Sequence, residues 1–193
     1  MGGDNVTGGL LATRHLLAQG AKRVLFMGDT ELPEIGHRHQ GYLQAHAEAG
    51  RVADPLLSRT VLFMTEQIQR EVGLLVTQKM VFDAVFAASD LMAMTVISSL
   101  RAMGLQVPEH VRVVGYDDIA LAEHVHPPLC TVRQPIAQAG EALVVSLLSQ
   151  LAGERVRSTL LPTELVVRQS SGTALAPSAA PPKTTPPAKR KQG

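Results

Sequence analysis

Asp83-Ala-Val-Phe-Ala-Ala-Ser-Asp90 and Val111-Arg-Val-Val-Gly-Tyr-Asp-Asp118 decide the fold of this chain. Each is a short apolar run that stops abruptly on carboxylates. A strand buried on both faces reads this way, and such strands belong to parallel sheets. In open α/β sheets, ligands bind outside the carboxyl ends of the strands. The two segments therefore predict a parallel sheet and also the edge of it that works, an edge bearing Ser89, Asp90, Asp117 and Asp118.

The neighbouring sequence fits the same plan. Apolar spacing predicts helices over 5–19, 36–49, 66–79, 90–103 and 137–151, most of them stopped by a glycine. Strands are expected at 22–28, 59–63, 83–88, 111–115, 129–132 and 163–168. Strands alternating with helices of this length indicate βαβ units. After Gly172 the chain is rich in Pro, Ala and Lys, and five of its twelve prolines lie there. Residues 173–193 are expected to be a disordered tail, because such a composition buries too little apolar surface to order itself.

Composition excludes several functions. Apolar residues make up 45% of the 193, enough for a core, although Trp is absent. The formal charge is +1, and the tail's Lys183, Lys189, Arg190 and Lys191 account for more than all of it. The body is thus mildly acidic, a poor match for the basic face that nucleic acid requires. A lone Cys130 rules out an internal disulfide and a cysteine metal cluster, and is expected inside a strand. His37-x-His39 does not make a metal pair, because i and i+2 diverge on a helix. No apolar run reaches the length of a membrane span, and no signal peptide is visible, so a cytoplasmic location is expected.

A set of motifs in fixed order carries a resemblance. These are Asp4-Asn5-x-x-Gly8, Ala12-Thr-x-His15-Leu16, Gly20-x-Lys-Arg-Val24, Arg38-x-x-Gly41-Tyr42, Ala88-Ser-Asp90-x-Met92-Ala93, Val113-Val-Gly-Tyr-Asp-Asp118 and Pro128-Leu-x-Thr131-Val-x-Gln134. Together they resemble the LacI/GalR family of bacterial transcription regulators, from residue 4 to about 172. The resemblance implies a periplasmic-binding-protein-like type I fold, in which two lobes close on a ligand and three chain segments cross between them. It assigns residues 1–22 to a C-terminal helix of the first lobe and 23–131 to the second lobe. Residues 132–159 become a crossover with a returning first-lobe helix, and 160–172 the last strand of the second lobe. On this plan the chain is mostly second lobe with two orphan helices, and the family's helix-turn-helix headpiece is expected to be missing. Leu10, Leu11 and Leu17, with Val144, Leu147 and Leu148, are then expected to be bare, giving self-association or weak ligand affinity.

Ligand residues follow from the same comparison, each beside a plainer reading. Asp117 matches an acid that accepts ligand hydroxyls; otherwise it caps a helix at 119–124. Arg38 matches an arginine that grips ligand hydroxyls or a carboxylate; otherwise it is a solvated helix-start residue. Ser89 matches a position facing ligand, with Asp90 as the helix cap. Phe63 matches a stacking aromatic, or is a core residue. Gln134 would emerge between the lobes, and Asp29 would line the cleft rim. Asp118 is expected to be structural.

The function implied is effector binding, with a sugar or nucleoside as ligand and no cofactor, metal or reaction. Intact relatives are homodimers that reach DNA through the headpiece. A periplasmic-type sugar receptor shares the fold but needs an export signal. A Mg²⁺-dependent acidic site at Asp90, Asp117 and Asp118 is the enzymatic alternative. Against catalysis, the chain carries neither a Gly-rich phosphate loop nor a Gly-x-Ser-x-Gly turn.

Overall fold

The structure, a computed structural model, describes residues 2–154, 156 and 159–172. The expected tail at 173–193 lies outside the described residues. In chain order the elements are β1 (Gly2–Gly3), α1 (Asn5–Ala18), β2 (Val24–Met27), α2 (Pro33–Glu48), β3 (Ser58–Arg59), α3 (Thr65–Thr77) and β4 (Ala84–Ala87). There follow α4 (Asp90–Ala102), β5 (Arg112–Asp117), β6 (Cys130–Arg133), α5 (Ile136–Leu151), β7 (Leu160–Leu161) and β8 (Glu164–Val166). Three short 3₁₀ turns lie at 55–57, 120–123 and 169–171.

Six strands form the main sheet in the order β3-β2-β4-β5-β6-β8. All neighbours are parallel except β6 and β8. The fold is thus α/β with a mostly parallel sheet flanked by helices, as the apolar runs predict. Successive side chains on a strand point to opposite faces, and the core divides accordingly. Leu25, Met27, Val85 and Val113 pack under α3 and α4 with Ile68, Val72, Met92 and Leu100. Val24, Phe26, Phe86, Val114 and Tyr116 pack on the other face with Leu16, Ile35 and Tyr42 of α1 and α2. The lone Cys130 is buried in β6, as expected.

Element boundaries differ from the sequence pattern most clearly in three strands. β3 pairs only through Ser58 and Arg59, and the apolar residues Leu62, Phe63 and Met64 run past it, about half exposed. It is an edge strand, with one neighbour to hold it. β5 continues to Asp117 because β6 is long enough to pair Asp117 with Arg133. β8 is shorter than the span expected, at Glu164–Val166.

The terminal helices behave differently from each other. Bare apolar stripes were expected on both, and α1 does not have one. Leu10 and Leu16 are buried and Leu17 packs against the core. The reason is a close crossing of α1 over α2, where Gly9 lies against the Arg38 carbonyl and Gly41 against the Val6 carbonyl and the Leu10 amide. α5 does have a bare stripe: none of its residues is buried, and Val144, Leu147 and Leu148 are 57%, 55% and 61% exposed.

Away from the main sheet, β1 and β7 form a two-stranded parallel pair. Asp4 N–H donates to the Leu161 carbonyl at 2.8 Å, and Thr163 Oγ1 to the Asp4 carbonyl at 3.3 Å. A Cβ on Gly3 would lie 3.1 Å from Gln134 Oε1. The segments around residues 3, 134 and 162 therefore run side by side, next to the carboxyl end of β5.

Candidate functional site

Arg38 sits in the second turn of α2, a helix begun by Pro33, whose fixed φ and missing N–H suit that position. It is not solvated: only 6% of it is exposed. A buried guanidinium needs partners for its fork of donors. Arg38 Nε donates to Asn5 Oδ1 at 2.9 Å, and one terminal nitrogen donates to the Ala88 carbonyl. The other terminal nitrogen stands 3.8 Å from Asp117 Oδ1. The guanidinium carbon lies 3.7 Å above the Tyr116 ring centroid, a cation–π stack. Burial pulls the Arg38 pKa down and the charge of Asp117 opposes it.

Asp117 ends β5 with φ of 115°, and Asp118 follows with φ of 54°. Neither is glycine, so the backbone is held in a conformation that L residues avoid. The bend separates the two acids. Asp117 Oδ1 accepts from Gln134 Nε2 at 2.7 Å and faces Arg38. Burial raises the Asp117 pKa, while Arg38 and the Gln134 hydrogen bond lower it in part. Asp118 turns away to Arg133 Nε at 2.6 Å and Arg168 at 2.8 Å. Burial alone would raise the Asp118 pKa, but its two arginine partners bring it below the usual value. Asp118 is the structural acid of the pair. Neither acid caps the 3₁₀ turn at 120–123, which has no side-chain cap.

Three of the six sequence-predicted residues are thus drawn together: Arg38, Asp117 and Gln134. Ser89 lies at the same sheet edge, where its Oγ accepts from Met92 N–H at 3.2 Å. Ser89, rather than Asp90, is the cap of α4; Asp90 is the first helical residue. Phe63 is 47% exposed, so the core reading fails. It lies beyond β3 on the carboxyl side of the sheet, where an apolar face is available. Asp29 accepts from Glu31 N–H within its own turn. Asn5 and Tyr116 are members that sequence reasoning passed over. Tyr116 was legible, since it is two residues after the inward-facing Val114. Asn5 carried a local signal only as a cap of α1, a place that Asp4 takes, and its partner Arg38 is 33 residues away.

The arrangement holds one cation and one anion against each other, with an amide beside them. Arg38 spends donors on Asn5 and Ala88, and Asp117 Oδ1 takes the Gln134 amide and faces Arg38. Among the described residues, no group of three His, Cys, Asp or Glu is placed to hold a metal ion. No helix among them is long and apolar enough to cross a membrane.

A mostly parallel sheet with a paired Arg and Asp at its carboxyl edge has the layout of α/β domains that bind ligands at that edge. Residues 13–171 match the model of the periplasmic binding protein-like domain, and the chain belongs to that family. Its curated relatives are LacI-type regulators. It is 37% identical over 170 residues to the HTH-type transcriptional regulator CelR of Thermobifida fusca, covering 86% of this chain and 50% of the relative. It is 34% identical over 171 residues to the HTH-type transcriptional repressor CytR of Escherichia coli strain K12, covering 87% and 50%. A solved CelR–cellobiose complex superposes with a TM-score of 0.81 at 36% identity, over 87% of this chain and 52% of that one. The lac repressor dimer bound to operator superposes with a TM-score of 0.81 at 25% identity, over 88% and 51%. The chain spans about half the length of the curated relatives it matches.

Proposed function

We propose that this chain is the effector-binding part of a LacI-type transcriptional regulator, and that its effector is a neutral polyol, a sugar or a nucleoside. The observation that carries this reading is the buried Arg38–Asp117 pair, stacked on Tyr116 and shared with Gln134. A net-neutral pair matches adjacent hydroxyls, which donate to the carboxylate and accept from the guanidinium. A sugar phosphate or sugar acid would bring a charge that Asp117 already supplies. Phe63 offers the apolar face, Ser89 a hydroxyl, and Asp29 a rim acid. CelR, crystallised with cellobiose, is the relative whose ligand class fits best.

Lobe closure on such a ligand shifts a population and breaks no bond. On this reading α5, β1 and β7 belong to the opposing lobe, and α1, sealed against α2, belongs with the main sheet. On this reading any grip on DNA is made through a headpiece, as homodimers of intact regulators make it.

Saturation-transfer NMR with the full chain tests the reading, using cellobiose, D-ribose and adenosine against glucose 6-phosphate and glucuronate. Signal is expected from at least one neutral polyol, at least about tenfold weaker for the anions, and lost in Asp117→Asn, since a charge-assisted contact is worth about 1.5–3 kcal/mol. Preference for the anions, or an unchanged signal in Asp117→Asn, would overturn it.

A further inference from the structure

Asp90 is fully buried at the first position of α4, and the hydrogen bonds of its carboxylate go elsewhere than to Arg38, Asp117 or Gln134. Its two oxygens are spent on the chain after β5 and on β6. Oδ2 accepts from Ile119 N–H at 2.9 Å, and Oδ1 accepts from the Thr131 hydroxyl at 2.5 Å. The Thr131 oxygen in turn accepts from Asp118 N–H at 3.4 Å. One carboxylate thus reaches, directly or through Thr131, both backbone amides that follow Asp117. These amides flank Asp118, the second of the two consecutive residues with positive φ at the end of β5. The approach is so close that Gly115 has no room for a Cβ, which would strike Asp90 Oδ1.

An acid has no need to be buried here for packing alone. Desolvation raises its pKa, the hydrogen bonds from Thr131 and Ile119 oppose this, and the charges of Asp117 and Asp118 add to the rise. Cys130 on β6 also lies within reach of its charge. A neutral residue of similar shape would avoid that cost, so the two accepted hydrogen bonds are what the carboxylate supplies.

We propose that Asp90 is a positioning residue for the effector site: it clamps the backbone of Asp118 and Ile119 and so fixes where Asp117 projects. The proposal rests on Asp117 as the ligand acid, and it adds to that reading a residue that touches no ligand. Ser89 caps the helix, Asp90 holds the neighbouring strand end, and the Ser-Asp pair thereby ties α4 to the bend in β5.

Hydrogen–deuterium exchange of the full chain, read by mass spectrometry, tests this without any ligand. Peptides covering 116–121 are compared with peptides covering 22–28. In Asp90→Ala the first set is expected to exchange at least about tenfold faster while the second is unchanged. Asp90→Asn is expected to restore part of the protection at 116–121, because its amide oxygen still accepts from Ile119 N–H. Thr131→Val, which removes only the hydroxyl, is expected to give an intermediate increase and stands in if Asp90→Ala does not fold. Equal exchange in all four proteins would overturn the clamp, as would a uniform rise in both peptide sets. Absence of sugar binding in the wild-type chain would instead remove the effector assignment, with the clamp intact.

Discussion

Replacing Gly41 with alanine tests whether the seam between α1 and α2 sets the site. A Cβ at 41 would lie 2.5 Å from Leu10 N and 2.9 Å from the Gly9 carbonyl carbon, and closer still to the Val6 carbonyl oxygen. Ordinary contact begins at 3.4 Å. All three obstacles are backbone of α1, so none can swing aside as a side chain does. The helices must separate by about 1 Å, which for an overpacked interior costs about 1–3 kcal/mol. The same shift acts on the site, because Asn5 rides on α1 and Arg38 on α2. Their 2.9 Å hydrogen bond would stretch towards 4 Å and cease to be one. A buried guanidinium would then lose its Nε partner. Urea unfolding should show the unfolding free energy lowered by that amount, with a lower midpoint. Polyol binding should weaken beyond what the stability change explains, by about tenfold. Gly73→Ala is the control, since nothing lies within 4 Å of a Cβ there. Its helix should gain slightly, as alanine does over glycine. If Gly41→Ala unfolds at the wild-type urea concentration, the seam is looser than described and the reasoning fails.

Two further outcomes follow from burial and charge. The pKa of Asp90 is raised to about 6, mainly by burial, so the folded chain holds that proton more tightly than the unfolded one. The contribution is therefore most favourable below the unfolded value and is lost as pH rises from about 4 to about 6, on the order of 2–3 kcal/mol. Urea unfolding between pH 4 and 7.5 should show this decline in the wild type relative to Asp90→Asn, and parallel curves would contradict it. α5 presents Leu143, Val144, Leu147, Leu148 and Leu151 to solvent, each more than half exposed. Light scattering should find residues 1–193 self-associated, and Leu143→Lys with Leu147→Lys should shift the chain towards monomer; a monodisperse wild-type monomer would count against it.

Much of the fold was legible because a buried strand announces itself locally. The apolar stretches 84–88 and 113–116 are buried on both faces and are followed within two residues by acids, and nothing distant is needed to read them. β3 was overread for the opposite reason. Val61, Leu62 and Phe63 have strand-like composition, but whether they pair depends on a neighbour that an edge position lacks. At the site, Arg38, Asp117 and Gln134 were named from matching positions, yet their mutual contacts depend on a bend at 117–118. That bend breaks the usual rule for non-glycine residues, and a rule broken by tertiary contacts leaves no trace in propensity.

Glycine shows the same limit from the other side. Gly8, Gly9 and Gly41 read as weak points in helices, since each costs about 1 kcal/mol against alanine. In the structure a Cβ at Gly8 would strike the Tyr116 ring, one at Gly9 the Arg38 carbonyl, and one at Gly41 the backbone of α1. The three together let α1 settle onto α2 and Tyr116, which in turn lets Asn5 and Tyr116 enclose Arg38. Local helix stability is given up so that a charged side chain can be buried with its partners at the carboxyl edge of the sheet. That trade also separates the two terminal helices: α1 has a seam of small residues against α2 and is sealed, whereas α5 has a continuous apolar surface and no element of the described chain shaped to receive it.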